Sequence, residues 1–166
     1  MAKEYPLEQL AFIKKKKLQE AERELRDKKE ALIDEQKKLT KVMKERDEVK
    51  RHKIDKLTKL REDLDSGEST KKIEEGRNYL QIVEDKLKIE EKKVEAQEKE
   101  VQKAEEAVEA ARVEMLRRQQ QVEKLKEHKS EWTDEMKKEL EKEEAKEADE
   151  TGSSRFLLNK KKKRTK

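Results

Sequence analysis

The sequence predicts an all-α fold, a long antiparallel two-helix coiled-coil hairpin, and three observations carry that prediction. Ile73, Leu80, Leu87, Val94, Val101, Val108, Met115 and Val122 are apolar at a spacing of seven without exception. That is the spacing of a helix burying a narrow stripe against a partner helix. Charged residues make up 53% of the chain and apolar ones only 30%, too few for a wide core but enough for a thin seam. Finally, Asp65, Ser66, Gly67, Glu68, Ser69 and Thr70 form the one cluster of turn residues in the body of the chain.

The elements follow in order. Pro6, the single proline, suits a first helical turn, where its missing N–H has no partner in any case. Helix one is expected over about 6–64, a turn over 65–70 and helix two over about 70–148. At ~1.5 Å per residue the helices would measure roughly 85–90 Å and 115–120 Å. Helix one has its own seam in Leu18, Leu25, Leu32 and Leu39, with Val42 and Val49 as companions. Leu57, Leu60 and Leu64 continue in a frame shifted by four, a stutter that relaxes the supercoil. Helix two adds Val83, Ala104, Ala111, Leu125 and Trp132, with weaker seam positions at Gly76, Glu90, Gln97 and Arg118. Gly76 costs ~1 kcal/mol against Ala inside a helix and marks an expected point of fraying. Gly67 can take positive φ past a helix end, and Ser69 or Thr70 can cap the next helix.

So short a connection makes the two helices antiparallel neighbours. Folding about it sets Leu64 beside Ile73, Leu57 beside Leu80, Leu25 near Ala111 and Met115, and Leu18 near Val122. A straight parallel dimer running through Gly67 is the competing topology and leaves the turn residues unexplained. The hairpin domain is placed at 1–150 and a flexible basic tail at 151–166, with Thr151, Gly152, Ser153 and Ser154 as its linker. Phe156, Leu157 and Leu158 in that tail precede Lys160, Lys161, Lys162, Lys163 and Arg164.

No catalytic or metal-binding constellation is legible, and the chain is expected not to be an enzyme and to carry no cofactor. His52 and His128, the two histidines, sit among Lys and Glu and read as solvated surface residues. Three glycines leave no room for a phosphate-binding loop. Paired carboxylates such as Glu74 with Glu75 have no pocket to shift their pKa. The chain has no Cys, which excludes disulfides and thiolate metal sites. Glu4, Pro6 and Glu8 occupy the place of a signal peptide's apolar stretch, so synthesis in the cytoplasm without a cleaved signal is expected.

Two surfaces stand out as candidates for a partner. Leu7, Leu10, Phe12, Ile13, Trp132 and Met136 concentrate at the open end of the expected hairpin, where some must close the seam and the rest can receive another protein. Ile82 and Ile89, a heptad apart and off the seam, form a second candidate. Scattered apolar residues such as Ile33 and Met43 are ordinary on a protein surface.

Tyr5-Pro6-Leu7-Glu8-Gln9-Leu10 runs into Phe12-Ile13-Lys14-Lys15-Lys16-Lys17. A helix, the Asp65-Ser66-Gly67 turn and a longer helix carrying Glu127-His128-Lys129-Ser130-Glu131-Trp132 follow. In this order the segments resemble the FliJ/YscO family of type III secretion proteins, in its chlamydial-type YscO form, over about 5–149. The resemblance implies an antiparallel two-helix coiled coil that is similar to the central stalk of rotary ATPases. It implies a cytoplasmic protein, peripherally associated with the secretion apparatus at the bacterial inner membrane. The implied partners are the hexameric secretion ATPase, the export gate protein, and secretion chaperones or the needle-length regulator. The open end would then enter the ATPase ring. A monomeric rod when free, with no metal and no specific nucleic acid, is the expected state. Two other readings stay open: a structural coiled-coil spacer that self-associates, and a nucleic-acid-associated protein acting through Lys160, Lys161, Lys162, Lys163 and Arg164, whose binding would weaken steeply with salt.

Overall fold

The computed structural model describes residues 4–164, with side chains placed for all of these except 159 and 161–164. Two helices account for nearly all of it: α1 (Glu8–Asp65) and α2 (Thr70–Arg164), packed against each other as a hairpin. None of the described side chains is fully buried, as a two-helix seam requires. The contacts divide the chain into two units, Glu20–Met115 with the turn and Met1–Gln19 with Leu116–Lys166.

In the turn unit, α1 ends in a Schellman motif. Gly67 adopts φ +72. Its N–H donates to Leu64 O at 3.2 Å, and the Glu68 N–H donates to Asp63 O at 3.1 Å. These bonds satisfy carbonyls that the helix end would leave without donors. The Ile73 N–H then donates to Ser69 O at 3.2 Å, which places Ser69 at the N-cap position of α2. Lys72 reaches back to Glu68 at 2.7 Å and to Asp63 at 3.8 Å. The Lys72 ammonium holds the Glu68 carboxyl below its ordinary value.

The predicted seam is the core. Val83, Leu87, Val94, Val101 and Ala111 on α2 are buried, as are Ala21, Leu25 and Leu60 on α1. Ile73, Leu80, Val108 and Met115 are half-buried, and in the other unit Val122 is buried. The weak positions are used as well. Gly76 leaves room for Leu60, whose Cδ1 would stand 3.0 Å from a Cβ added there. The residue expected to fray is therefore a hole for a buried leucine. Gln97 turns its amide across the hairpin to the Glu35 carbonyl at 3.2 Å and to the Glu35 carboxylate. Glu90 is buried; its Oε1 accepts from Lys93 Nζ at 2.8 Å, while Oε2 has no hydrogen-bond partner. Where the α1 heptad shifts between Val49 and Leu57, polar side chains replace apolar ones. Lys53 pairs with Glu84 at 3.0 Å, His52 Nε2 bonds the Tyr79 hydroxyl at 3.0 Å, and Lys56 lies 5.3 Å from the Tyr79 ring centre. The stutter is thus held by a polar clasp.

In the second unit the inward stripe of α1 is Leu7 just before the helix, then Ala11, Lys14 and Leu18, all half-buried. Lys14 donates to Gln121 Oε1 at 3.0 Å. The end of α2 differs from the expectation. Instead of stopping near Ala148, the helix continues to Arg164. No proline interrupts it and a single glycine costs only ~1 kcal/mol, so the expected linker stays helical, with the Thr151 hydroxyl donating to the Glu147 carbonyl at 2.7 Å. Of the expected basic tail, the side chains of 159 and 161–164 and residues 165–166 lie outside the described residues, as do 1–3 of the hairpin domain.

Candidate partner-binding site

Tyr5 organises the open end, from a position outside any helix. The Pro6-Leu7 turn returns the chain so that the Glu8 N–H donates to Tyr5 O at 3.2 Å, and the Tyr5 ring is left only 6% exposed. It meets the Trp132 ring edge-on, with centroids 5.5 Å apart at 61°. Its hydroxyl is hydrogen-bonded to His128 Nδ1 at 2.7 Å. Lys129 stands 5.7 Å from the ring centre and pairs with Glu8 at 2.6 Å. One turn of α2 therefore supplies the histidine, the lysine and the tryptophan that hold the segment before α1.

This clasp sorts the six residues predicted at the open end. Leu7, Trp132 and Met136 are half-buried and belong to the closure. Leu10, Phe12 and Ile13 are 39%, 70% and 49% exposed. Phe12 and Ile13 follow the inward Ala11 by one and two residues, so at 100° per residue they turn away from α2. With Glu8 and Gln9 they line a shallow, largely apolar depression on α1 alone. Directly beyond them lie Lys15, Lys16 and Lys17, all exposed. The outward surface is thus an apolar strip bordered on one side by positive charge.

Ile82 and Ile89 are 64% and 56% exposed, as their off-seam spacing predicts. Leu140, the main apolar residue of the charged stretch after Met136, and Leu116, which sequence reasoning did not single out, are also exposed. Neither falls on the heptad pattern, and an isolated leucine among charges gives no signal. Tyr5 was legible only as part of a motif, because a residue before the helix has no heptad position. His128 is exposed and His52 half-buried at the surface, and each also bonds a tyrosine hydroxyl across the hairpin.

Among the described residues, no group of three or more His, Asp or Glu side chains could hold a metal ion. None of the described helices is long and apolar enough to cross a membrane.

Comparison with known proteins bears on what that contact serves. The sequence pattern of YscO-like proteins matches residues 2–162. Among solved structures, the YscO homologue CT670 from Chlamydia trachomatis superimposes with a TM-score of 0.91 at 38% identity, covering 96% of this chain and 98% of that one. No curated protein matches the chain by sequence.

Proposed function

This chain belongs to the YscO-like family, which is associated with type III secretion, and from that premise we propose that it is a non-catalytic stalk or escort of a type III secretion apparatus. In this reading it binds the hexameric secretion ATPase through Leu10, Phe12 and Ile13 and helps couple ATP hydrolysis or chaperone cycling to export. It works in the cytoplasm, held peripherally at the inner membrane by its partners. The export gate protein is a second partner, for which Ile82 and Ile89 are the candidate surface. Chaperones and the needle-length regulator are further candidates.

The observation that carries the reading is the outward strip on α1. In a chain that is 53% charged, Phe12 is held 70% exposed on the helix face turned from α2. Covering such side chains is worth about 1.5–3 kcal/mol each, enough to anchor a partner. The neighbouring lysines suit a partner whose apolar groove has an acidic rim. A stalk in a six-fold ring also cannot match six subunits at once, and a small apolar anchor within soft charged contacts tolerates that mismatch.

The test is hydrolysis by the secretion ATPase of the same organism, with this chain titrated in at two enzyme concentrations. The reading predicts stimulation that is greater at the lower enzyme concentration, where ring assembly limits the rate. Phe12→Glu/Ile13→Glu should abolish it with helicity unchanged. Trp132→Ala is a poorer probe, because Trp132 packs on Tyr5. Failure of the wild-type chain to bind the ATPase or alter its rate would leave the spacer reading in its place.

A further inference from the structure

The charge of the chain is distributed unevenly. Residues 151–166 hold seven of the 46 basic residues and none of the 42 acidic ones. The net charge of +4 is therefore the difference between +7 on this segment and −3 on residues 1–150, where 39 basic residues face 42 acidic ones. The same segment carries an apolar turn. Phe156, Leu157 and Leu158 are 67%, 60% and 61% exposed. From 137 onward every described side chain of α2 is exposed, so neither α1 nor any other described segment covers this part of the helix.

We propose that the last turns of α2 form an anionic-membrane contact, in which Phe156, Leu157 and Leu158 enter the headgroup–acyl boundary and the basic run from Lys160 engages acidic lipid headgroups. Both halves of the segment are needed for this choice. A basic run is attracted to any polyanion, but a phosphodiester backbone offers nothing to three consecutive apolar side chains, and one phenylalanine is no series of stacking platforms. A bilayer surface offers both phases within a few ångströms of depth. On a helix rising ~1.5 Å per residue, positions 156 to 164 span only roughly 12 Å along the axis. The apolar turn and the start of the basic run are thus close enough along the helix to meet the headgroup–acyl boundary and the headgroups together. One apolar turn or one polybasic run alone binds weakly; together they make the two-signal arrangement that reversible membrane attachment requires. The inference stands on the segment's own residues and is independent of the secretion reading.

The test uses the full chain in co-sedimentation with vesicles of phosphatidylcholine alone or enriched in phosphatidylglycerol. Binding is expected only to the acidic vesicles and should weaken as salt rises. Phe156→Ser/Leu157→Ser/Leu158→Ser should reduce it by about ten-fold or more, since each apolar group removed weakens partition. Lys160→Glu/Lys162→Glu should reduce it similarly. Phe12→Glu/Ile13→Glu, at the other apolar strip, should leave it unchanged. Phe156, Leu157, Leu158, Lys160, Phe12 and Ile13 are exposed, and the helical circular dichroism of every variant should match the wild type. Absence of binding to acidic vesicles would overturn the proposal. So would binding that survives the triple serine change, or binding to a single-stranded nucleic acid that is tighter than to the vesicles and insensitive to that change, because each would reduce the segment to a polyanion contact.

Discussion

The two units each contain a tyrosine, a histidine and a lysine joined across the hairpin, and between them they use both tyrosines and both histidines of the chain. In the turn unit the set is Tyr79, His52 and Lys56; in the other it is Tyr5, His128 and Lys129. The chemistry is the same and the burial is not. Tyr79 is 44% exposed, in a unit where Leu60, Val83 and Leu87 are buried without it. Tyr5 is 6% exposed and, with Trp132, is itself the closure. The difference teaches that a polar clasp gains its weight from the apolar surface it covers rather than from its hydrogen bond, which contributes only about 1 kcal/mol in either place.

The largest expected effect follows directly. Tyr5→Ala should destabilise the pairing near 128–132 by about 2–4 kcal/mol, the range for removing a buried aromatic ring, and amide hydrogen exchange there should quicken accordingly. Tyr79→Ala should cost under about 1 kcal/mol, because its ring is half in water. Equal effects would break the comparison.

Glu90 comes next. One oxygen of its carboxylate is buried without a partner, between buried Leu87 and Val94. Glu90→Leu should raise the stability of the turn unit by about 1–3 kcal/mol, read as a higher Tm, since it removes a buried unsatisfied group and adds apolar contact. A fall in Tm would show that the Lys93 pair matters more than the lost solvation.

Gly76 separates propensity from packing. Alanine there gains ~1 kcal/mol of helix propensity but must push Leu60 Cδ1 from 3.0 Å, so Gly76→Ala should change Tm little. Gly76→Val should lower stability by about 1–3 kcal/mol, because the leucine cannot withdraw from a larger side chain.

The smallest effect is electrostatic. Lys38 and Gln97 hold Glu35 below the ordinary glutamate range, and Lys72 does the same for Glu68. A carboxylate depressed by folding contributes stability that is present above its unfolded pKa and is lost as pH falls through the folded one. Tm should therefore decline slightly on acidification below pH about 4.3, the unfolded glutamate value. The partner lysines Lys38 and Lys72 are raised, so their contribution is complete below the unfolded lysine pKa and disappears as alkaline pH passes the folded value. Both pairs are exposed, so the decline should be shallow and diminished by salt. Lys72→Met should flatten the acid limb that belongs to Glu68.

How far the sequence reaches can be read from the same residues. The eight-membered seam, the stutter and the Gly67 helix end were legible because heptads and turn chemistry are local patterns. Glu90, Gln97 and Gly76 were legible as weak seam positions, but what each does there depends on the facing residue of α1. The tyrosine partners of the two histidines were not legible, since Tyr5 and His128, for example, lie 123 residues apart and meet only once the register is fixed. The end of α2 was misplaced because Thr151, Gly152, Ser153 and Ser154 favour a linker by composition, and only the backbone hydrogen bonds decide. At the candidate site Leu7, Trp132 and Met136 are half-buried, whereas Leu10, Phe12 and Ile13 are exposed. Their division into closure and outward strip depends on the stripe through Leu7, Ala11, Lys14 and Leu18.

The outward strip is the central claim, and the direct measurement is the affinity of the secretion ATPase from the same organism for three chains: wild type, Phe12→Glu/Ile13→Glu and Ile82→Glu/Ile89→Glu. The account predicts that the first double substitution weakens binding by at least about ten-fold, the scale of one lost apolar anchor, with Tm unchanged, while the second leaves ATPase binding intact. Equal affinity of all three chains, or loss with the Ile82/Ile89 pair alone, would contradict it.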